Sequence, residues 1–323
     1  MLSGKRHSTK GKGQLTAALA VIVFLFVLFI IYRYTSADVP ASDFFPTPTP
    51  ILPASQQPIH TQKGEMDVYM LDIGQGDCFF LRSPSGKTML VDAGEAGEFD
   101  TIDAFLKSQG VTKLDVVVAT HPHSDHIGAM YKVINAYEIG VFYMPDVAHT
   151  SSTFEKMLSA LEEHDVLVKR AYASGESYLP WSDEITVRIL SPLKDGIYDE
   201  ESLNDWSVVL HVSFGNSSIL FTGDAEEPVE EQMLSAYDAS VLRATVLKAP
   251  HHGSSTSGSE AFLDAVNPKI ALISCELDNE YGHPHEETLK RYAARGITTY
   301  RTDKSGTVQL TFTAEGIEAK TEK

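Results

Sequence analysis

His121-Pro122-His123-Ser124-Asp125-His126 places three imidazoles and a carboxylate within six residues, directly after the apolar run Val116-Val117-Val118-Ala119. A strand that ends in such a cluster can aim several donor atoms at one point. Imidazole nitrogen with carboxylate oxygen suits zinc, manganese or iron better than calcium, which takes oxygen alone. A lone histidine would read as a solvated turn residue. Four donor side chains at this spacing point instead to a metal site.

Three further strand ends carry the same residue types. Leu220-Phe221-Thr222-Gly223-Asp224 closes an apolar run with a carboxylate able to bridge two ions, one oxygen to each. Val246-Leu247-Lys248-Ala249-Pro250 leads into His251-His252-Gly253-Ser254, where glycine lets the backbone approach a ligand closely. Tyr281-Gly282-His283-Pro284-His285 offers two more imidazoles ahead of a helix. Taken singly, Asp224 is an ordinary Gly-Asp turn, and His283 or His285 could equally cap that helix or face solvent.

The elements that must position these groups follow from periodicity. Short β-rich runs at 67–73, 78–82 and 88–92 are separated by Gly-Gln-Gly-Asp and Ser-Pro-Ser-Gly turns, which predicts antiparallel hairpins. Ile102, Phe105 and Leu106 have helical spacing, and Gly110 ends that helix. An apolar strand over 114–120 leads into the histidine cluster, and helices are predicted at 128–137 and 153–164. The second half repeats the style, with strands at 185–190, 207–214, 218–222, 245–248, 269–274 and 307–313. Helices there are predicted at 226–236, 259–266 and 286–295. Strands followed by helices, twice over, predict two packed β-sheets with helices on the outer faces. Cys78 and Cys275 lie almost 200 residues apart beside apolar runs and read as two buried strand cysteines, although an exported pair could also join.

The N-terminus has a different character. Ala17 to Ile31 is unbroken apolar sequence, flanked by Tyr32 and Tyr34, and predicts a transmembrane anchor over 15–34. A cleaved signal peptide is the alternative, but its apolar region is usually shorter, and Thr35-Ser36-Ala37 is a weak cleavage site. Lys5, Arg6, Lys10 and Lys12 in the short basic segment 1–14 keep that end cytoplasmic and export the remainder. A Pro-rich linker over 35–64, with Pro40, Pro46, Pro48, Pro50, Pro53 and Pro58, is expected to hold residues 65–323 off the bilayer as one domain. The whole chain carries a formal charge of −18, and its first 34 residues contain basic but no acidic side chains. The exported part is therefore more acidic still, which argues against a passive DNA-binding module. Metal ions could nevertheless make one cleft locally positive.

In these motifs the chain resembles the metallo-β-lactamase fold hydrolases, and within them the ComEC-like branch, the extracytoplasmic nuclease-like domain of DNA-uptake proteins. The pieces that carry the resemblance are Leu71-Asp72-Ile73-Gly74-Gln75-Gly76-Asp77, Leu90-Val91-Asp92-Ala93-Gly94, the His121 to His126 cluster, Leu220 to Ala225, His251 to Ser254 and Tyr281 to His285. They span Met66 to about Thr313 in the family's order. The resemblance implies an α/β fold, the αββα sandwich, here preceded by one transmembrane helix. It also implies two divalent metal ions, zinc or manganese. His121 and His123 would hold the first, Asp125, His126 and His251 the second, and Asp224 would bridge them. The superfamily usually gives the first ion a third histidine. This chain has Leu203-Asn204-Asp205-Trp206-Ser207 there, as ComEC-like sequences tend to, so Asn204, Asp205 or water must fill the place. His211, inside a strand, is a poorer candidate.

A paired metal site lowers the pKa of a shared water from about 15.7 towards neutrality and polarises the electrophile. Asp125 is expected to orient that water or take its proton, and His252 or His283 to protonate the leaving oxygen. Asn204, His283 and His285 are the expected substrate contacts. The leading expectation is a membrane-anchored extracytoplasmic phosphodiesterase or nuclease, with DNA among its possible substrates. A β-lactamase or other ester or amide hydrolase on the same fold is the alternative enzyme, and a non-catalytic envelope binding protein the alternative class. The near-complete donor set speaks against the last of these.

Overall fold

Met66, Val68 and Met70 are buried while Asp67 and Tyr69 between them are only half so, the period-two pattern of a strand with one face in a core. The structure, a computed structural model, describes residues 64–323 other than Glu176, Ile197 and Glu200. The basic segment, the predicted anchor and the linker up to residue 63 lie outside the described residues. Among the described residues no helix is long and apolar enough to cross a membrane.

Six strands come first: β1 (Met66–Met70), β2 (Phe79–Arg82), β3 (Thr88–Val91), β4 (Lys113–Val118), β5 (Glu138–Met144) and β6 (Val168–Arg170). Then follow β7 (Thr186–Ser191), β8 (Val209–Phe214), β9 (Ser217–Phe221), β10 (Val246–Lys248), β11 (Ile270–Ile273) and β12 (Thr298–Arg301). The chain ends on β13 (Val308–Phe312) and β14 (Ile317–Thr321). They form an eight-stranded sheet in the order β14-β13-β1-β2-β3-β4-β5-β6 and a six-stranded sheet in the order β12-β11-β10-β9-β8-β7. Each sheet is antiparallel at one end and parallel at the other. The parallel portions run from β3 to β6 and from β9 to β12.

The sheets face each other across one apolar layer, to which the first contributes Val68, Phe79, Val91 and Val118 and the second Leu210, Phe221, Val246 and Leu272. Phe79 and Phe221 meet edge-on across that layer, ring centroids 5.2 Å apart. Helices Phe99–Ser108, Met130–Ala136 and Ser152–Glu163 cover the outer face of the first sheet through Ile102, Leu106, Val133, Phe154 and Leu161. Helices Glu227–Ala236, Glu260–Val266 and Glu286–Ala294 cover the second through Val229, Met233, Phe262, Leu263 and Tyr292. The expected αββα sandwich is thus what the sequence folds into. Cys78 and Cys275 are both free and buried.

The differences from expectation have local causes. β12 and β14 are edge strands with no buried residue, so they lack the alternation that marks a strand. β6 is three residues long and also lies at an edge. The helix expected at 128–137 begins later, at Met130. The turn before it, Ser124–Ile127, is a separate helical turn inside the histidine cluster.

The site loops all leave the carboxyl ends of strands and are tied to one another by backbone hydrogen bonds. The amide of Asp77 donates to the Asp125 carbonyl at 3.1 Å, that of Gly94 to the Asp77 carbonyl at 2.9 Å, and that of Ala93 to the His126 carbonyl at 2.7 Å. Gly76 makes this contact possible: at φ +121° a Cβ there would lie 2.1 Å from the Asp125 carbonyl oxygen. Gly74, at φ +71°, has no atom within 4 Å of such a Cβ. Left-handed strain alone costs on the order of 1–3 kcal/mol at either position. Gly76→Ala is therefore expected to destabilise the protein by more than Gly74→Ala, because it adds a backbone clash. Denaturant unfolding of the two variants checks this, and equal losses would contradict the packing argument.

Candidate metal centre

β4 delivers His121 as it ends, and the helical turn Ser124–Ile127 swings Asp125 and His126 back towards it. Thr120 and Asp92 fix these rings from behind. Asp92, buried at the end of β3, accepts from the Thr120 amide at 2.8 Å, the Thr120 hydroxyl at 2.7 Å and His126 Nδ1 at 2.9 Å. Because the Thr120 hydroxyl gives its proton to Asp92, it must accept from His121 Nδ1, 3.1 Å away. His252 Nδ1 donates to the Ser274 carbonyl at 3.0 Å. In their neutral form these three imidazoles, with Nδ1 engaged by an acceptor, carry the lone pair on Nε2, where a cation can replace the proton.

Those lone pairs converge. Oδ2 of Asp224, at the end of β9, lies 3.2 Å from His126 Nε2, 3.4 Å from His252 Nε2 and 4.0 Å from His121 Nε2. Asp125 Oδ2 stands 3.3 Å from His252 Nε2 and 3.7 Å from His126 Nε2. His126 Nε2 and His252 Nε2 are buried without a hydrogen-bond partner. Orphaned buried nitrogens aimed at a carboxylate oxygen are what a cation would satisfy. Asp125, His126, Asp224 and His252 accordingly form a group whose donor atoms lie within 4.8 Å of one another.

The electrostatics point the same way. Burial lowers the pKa of His126 and His252, but Asp224 and its neighbouring carboxylates outweigh burial, lifting His126 well above its ordinary value and His252 to about 9. Burial likewise works against ionised Asp224 and Asp125, yet the facing imidazoles hold both below the usual carboxylate range. Lys248 adds its charge to the hold on Asp224. The cluster calls for positive charge at its centre.

His123 Nδ1 lies 3.0 Å from His121 Nε2, two ring nitrogens facing each other beside Asp224. Asn204 borders this pair, within hydrogen-bonding reach of His123. Its amide nitrogen donates to Glu226 at 3.1 Å, which leaves its buried oxygen as the atom turned towards His123. The position usually held by a third histidine thus offers an amide oxygen. His211 is elsewhere, with Nε2 on the Arg243 carbonyl at 2.9 Å.

The sequence left open which of the adjacent His251 and His252 is the ligand, and the structure turns His252 towards Asp224. His251 Nδ1 turns instead to Glu226 Oε1 at 2.9 Å, and its Nε2 stays 3.8 Å from Asp224 Oδ2. The cause is backbone conformation: both residues take left-handed angles, φ 48° and 52°, after β10. Such a turn decides which of two adjacent side chains points inward, and an adjacent pair in sequence does not reveal it. His252 is correspondingly a member of the donor group rather than a free proton donor.

His283 stacks against the cluster, its ring 6.2 Å from His252 and 5.3 Å from His251, with Nδ1 buried and unpartnered. Burial and the surrounding imidazoles push its pKa down to about 4. It is thus a neutral ring near pH 7, suited to giving a hydrogen bond and poorly suited to acting as an imidazolium acid. His285, expected at the substrate, has both ring nitrogens on backbone groups: Nδ1 accepts from the Ser255 amide at 2.8 Å, and Nε2 lies 3.3 Å from the Tyr281 carbonyl. It ties two site loops together instead.

Several participants had no expected role. Asp92 and Thr120 orient the rings, Glu226 gathers Asn204 and His251, and Ser274 holds His252. Lys248, 1 % exposed, reaches Asp77 Oδ2 at 2.7 Å, the Gly223 carbonyl at 2.8 Å and Asp224 Oδ1 at 3.3 Å. Its signal in the sequence was a single charge ending the apolar run Val246-Leu247.

Residues 71–276 match the family described as Metallo-beta-lactamase superfamily. The chain is 29% identical over 272 residues to ComE operon protein 3 of Bacillus subtilis, covering 79% of this chain and 34% of that protein. It is 31% identical over 267 residues to Competence protein ComA of Neisseria gonorrhoeae, covering 82% of this chain and 35% of that one. The chain thus spans about a third of the length of these relatives. Among solved structures, the metallo-beta-lactamase fold protein YhfI of Bacillus subtilis superposes with a TM-score of 0.48 at 13% identity, covering 76% of this chain and all of that one. With more than half of its length matched to the family and a donor set of the matching kind, the chain belongs to the metallo-beta-lactamase superfamily.

Proposed function

We propose that this chain is a two-metal phosphodiesterase, with nucleic acid as its leading substrate, tethered outside the membrane by residues 15–34. One observation carries the reading: three Nε2 lone pairs, two of them buried and unpartnered, converge on Asp224 Oδ2. In this reading His121, His123 and the Asn204 oxygen would hold one ion and Asp125, His126 and His252 the other, with Asp224 available to both. A first site with an amide oxygen in place of a third imidazole shifts preference from zinc towards manganese. The likeness to a competence protein and to a ComE operon protein supports nucleic acid as the phosphodiester.

The ions would supply hydroxide near neutral pH and a Lewis acid for the phosphoryl oxygen. The chain's own residues do the rest. Asp125, partly exposed and ionised, would orient the attacking water. His283 hydrogen-bonds the leaving oxygen through its one ring N–H. Asp92, Thr120 and Ser274 keep the lone pairs of His126, His121 and His252 aimed inward. The acidic net charge repels a polyanion, so activity on DNA should depend on divalent metal.

The test is to incubate the whole chain in detergent with bis-p-nitrophenyl phosphate, nitrocefin and plasmid DNA, with and without manganese or zinc. Metal-dependent turnover of the phosphodiesters without turnover of nitrocefin is expected. Nitrocefin hydrolysis would favour the β-lactamase-like alternative, and absence of both turnover and bound metal would favour a binding protein. Elemental analysis of variants checks the donor assignment. His252→Ala should weaken metal binding by more than the roughly 10–100-fold cost of losing a supporting hydrogen bond. His251→Ala should retain near-normal metal content. The reverse result would restore His251 as the ligand.

A further inference from the structure

Lys248 ends β10 on the side that faces the other sheet, as Val246 does two residues earlier. There it meets Asp77, from the loop after β1 of the first sheet, and Asp224, from the end of β9 in the second. An ammonium group has three N–H bonds. All three are matched by acceptors: Asp77 Oδ2 at 2.7 Å, the Gly223 carbonyl at 2.8 Å and Asp224 Oδ1 at 3.3 Å. None is left for a substrate, and the group is out of reach of solvent.

A carboxylate turning freely about its Cβ–Cγ bond could offer either oxygen, or both, to neighbouring cations. Here the two oxygens have separate partners. Oδ1 faces Lys248, while Oδ2 faces His121, His126 and His252. The Asp224 amide is also fixed, accepting no freedom at its base because it donates to Ser207 Oγ at 3.0 Å. This arrangement differs from a bridge that gives one oxygen to each ion, which the sequence alone had suggested.

We propose that Lys248 is a positioning residue for Asp224: it takes Oδ1 out of the donor set, so that the carboxylate meets metal through Oδ2 alone. The inference rests on the two-metal reading above. Its rival is that Lys248 does no more than neutralise buried Asp77 and join the two sheets.

Two measurements separate these. Lys248→Met alone would leave Asp77 as a buried charge without its cation, so the informative variant is Lys248→Met combined with Asp77→Asn, which removes both charges together. Manganese affinity of the whole chain is measured by equilibrium dialysis, with folding followed by circular dichroism. Asp77 also meets Ser274 Oγ and His252 Nδ1, so Asp77→Asn alone is the reference. A folded double variant whose affinity falls roughly 10–100-fold below that reference supports positioning, because the two differ only in the hold of Lys248. Affinity equal to that of Asp77→Asn would overturn it. If the double variant does not fold, the crystal structure of the manganese-loaded wild-type chain decides. Oδ1 still on Lys248 supports the proposal, and both Asp224 oxygens on metal overturn it. A wild-type chain that takes up neither manganese nor zinc would overturn the functional reading and this inference together, whereas metal uptake with an unaffected double variant removes the inference alone.

Discussion

Asp224 is an ionised carboxylate only 2 % exposed, and the rest of the centre is arranged to make that state tolerable. Burial by itself would protonate it; His126, His252 and Lys248 oppose that from three directions. Each of those groups is itself buried and has its own partner: Asp92 behind His126, the Ser274 carbonyl behind His252, and Asp77 beneath Lys248. Breaking one such pair leaves an uncompensated charge in a dry interior, which is far costlier than never having built it. The loops that carry these residues are correspondingly stitched to one another by backbone hydrogen bonds rather than left to solvent.

The sequence made the sandwich and the donor types legible because both are encoded locally. Apolar periodicity marks the central strands, and His121 to His126 announces its chemistry within one short run. Pairing across the chain was less legible. β12 and β14 bury nothing and so carry no periodic signal. The exchange of His251 for His252 turned on two left-handed backbone conformations, which no residue type at those positions demands. Asp77, Asp92 and Lys248 lay inside or beside recognised motifs, but their roles depend on contacts between distant loops. His285 shows the opposite error: a residue of ligand type in a motif, occupied by backbone groups instead.

Charge is distributed on two scales. The chain as a whole is strongly acidic, yet at the centre imidazoles and a lysine surround one buried carboxylate, that of Asp224. Long-range repulsion and short-range demand for cations are compatible because the centre sits where two sheets meet, shielded by its own loops.

The edge-on contact of Phe79 and Phe221 has a bearing on that set. Phe79 follows Asp77 by two residues and Phe221 precedes Asp224 by three, each on its own sheet. The ring pair therefore acts as a spacer, setting the gap that Lys248 must span between the two carboxylates. Close-packed interiors transmit small displacements rather than absorbing them. A change of ring size in this purely apolar pair would retune the ion-binding floor several residues away, making the hydrophobic layer the gauge block of the polar one.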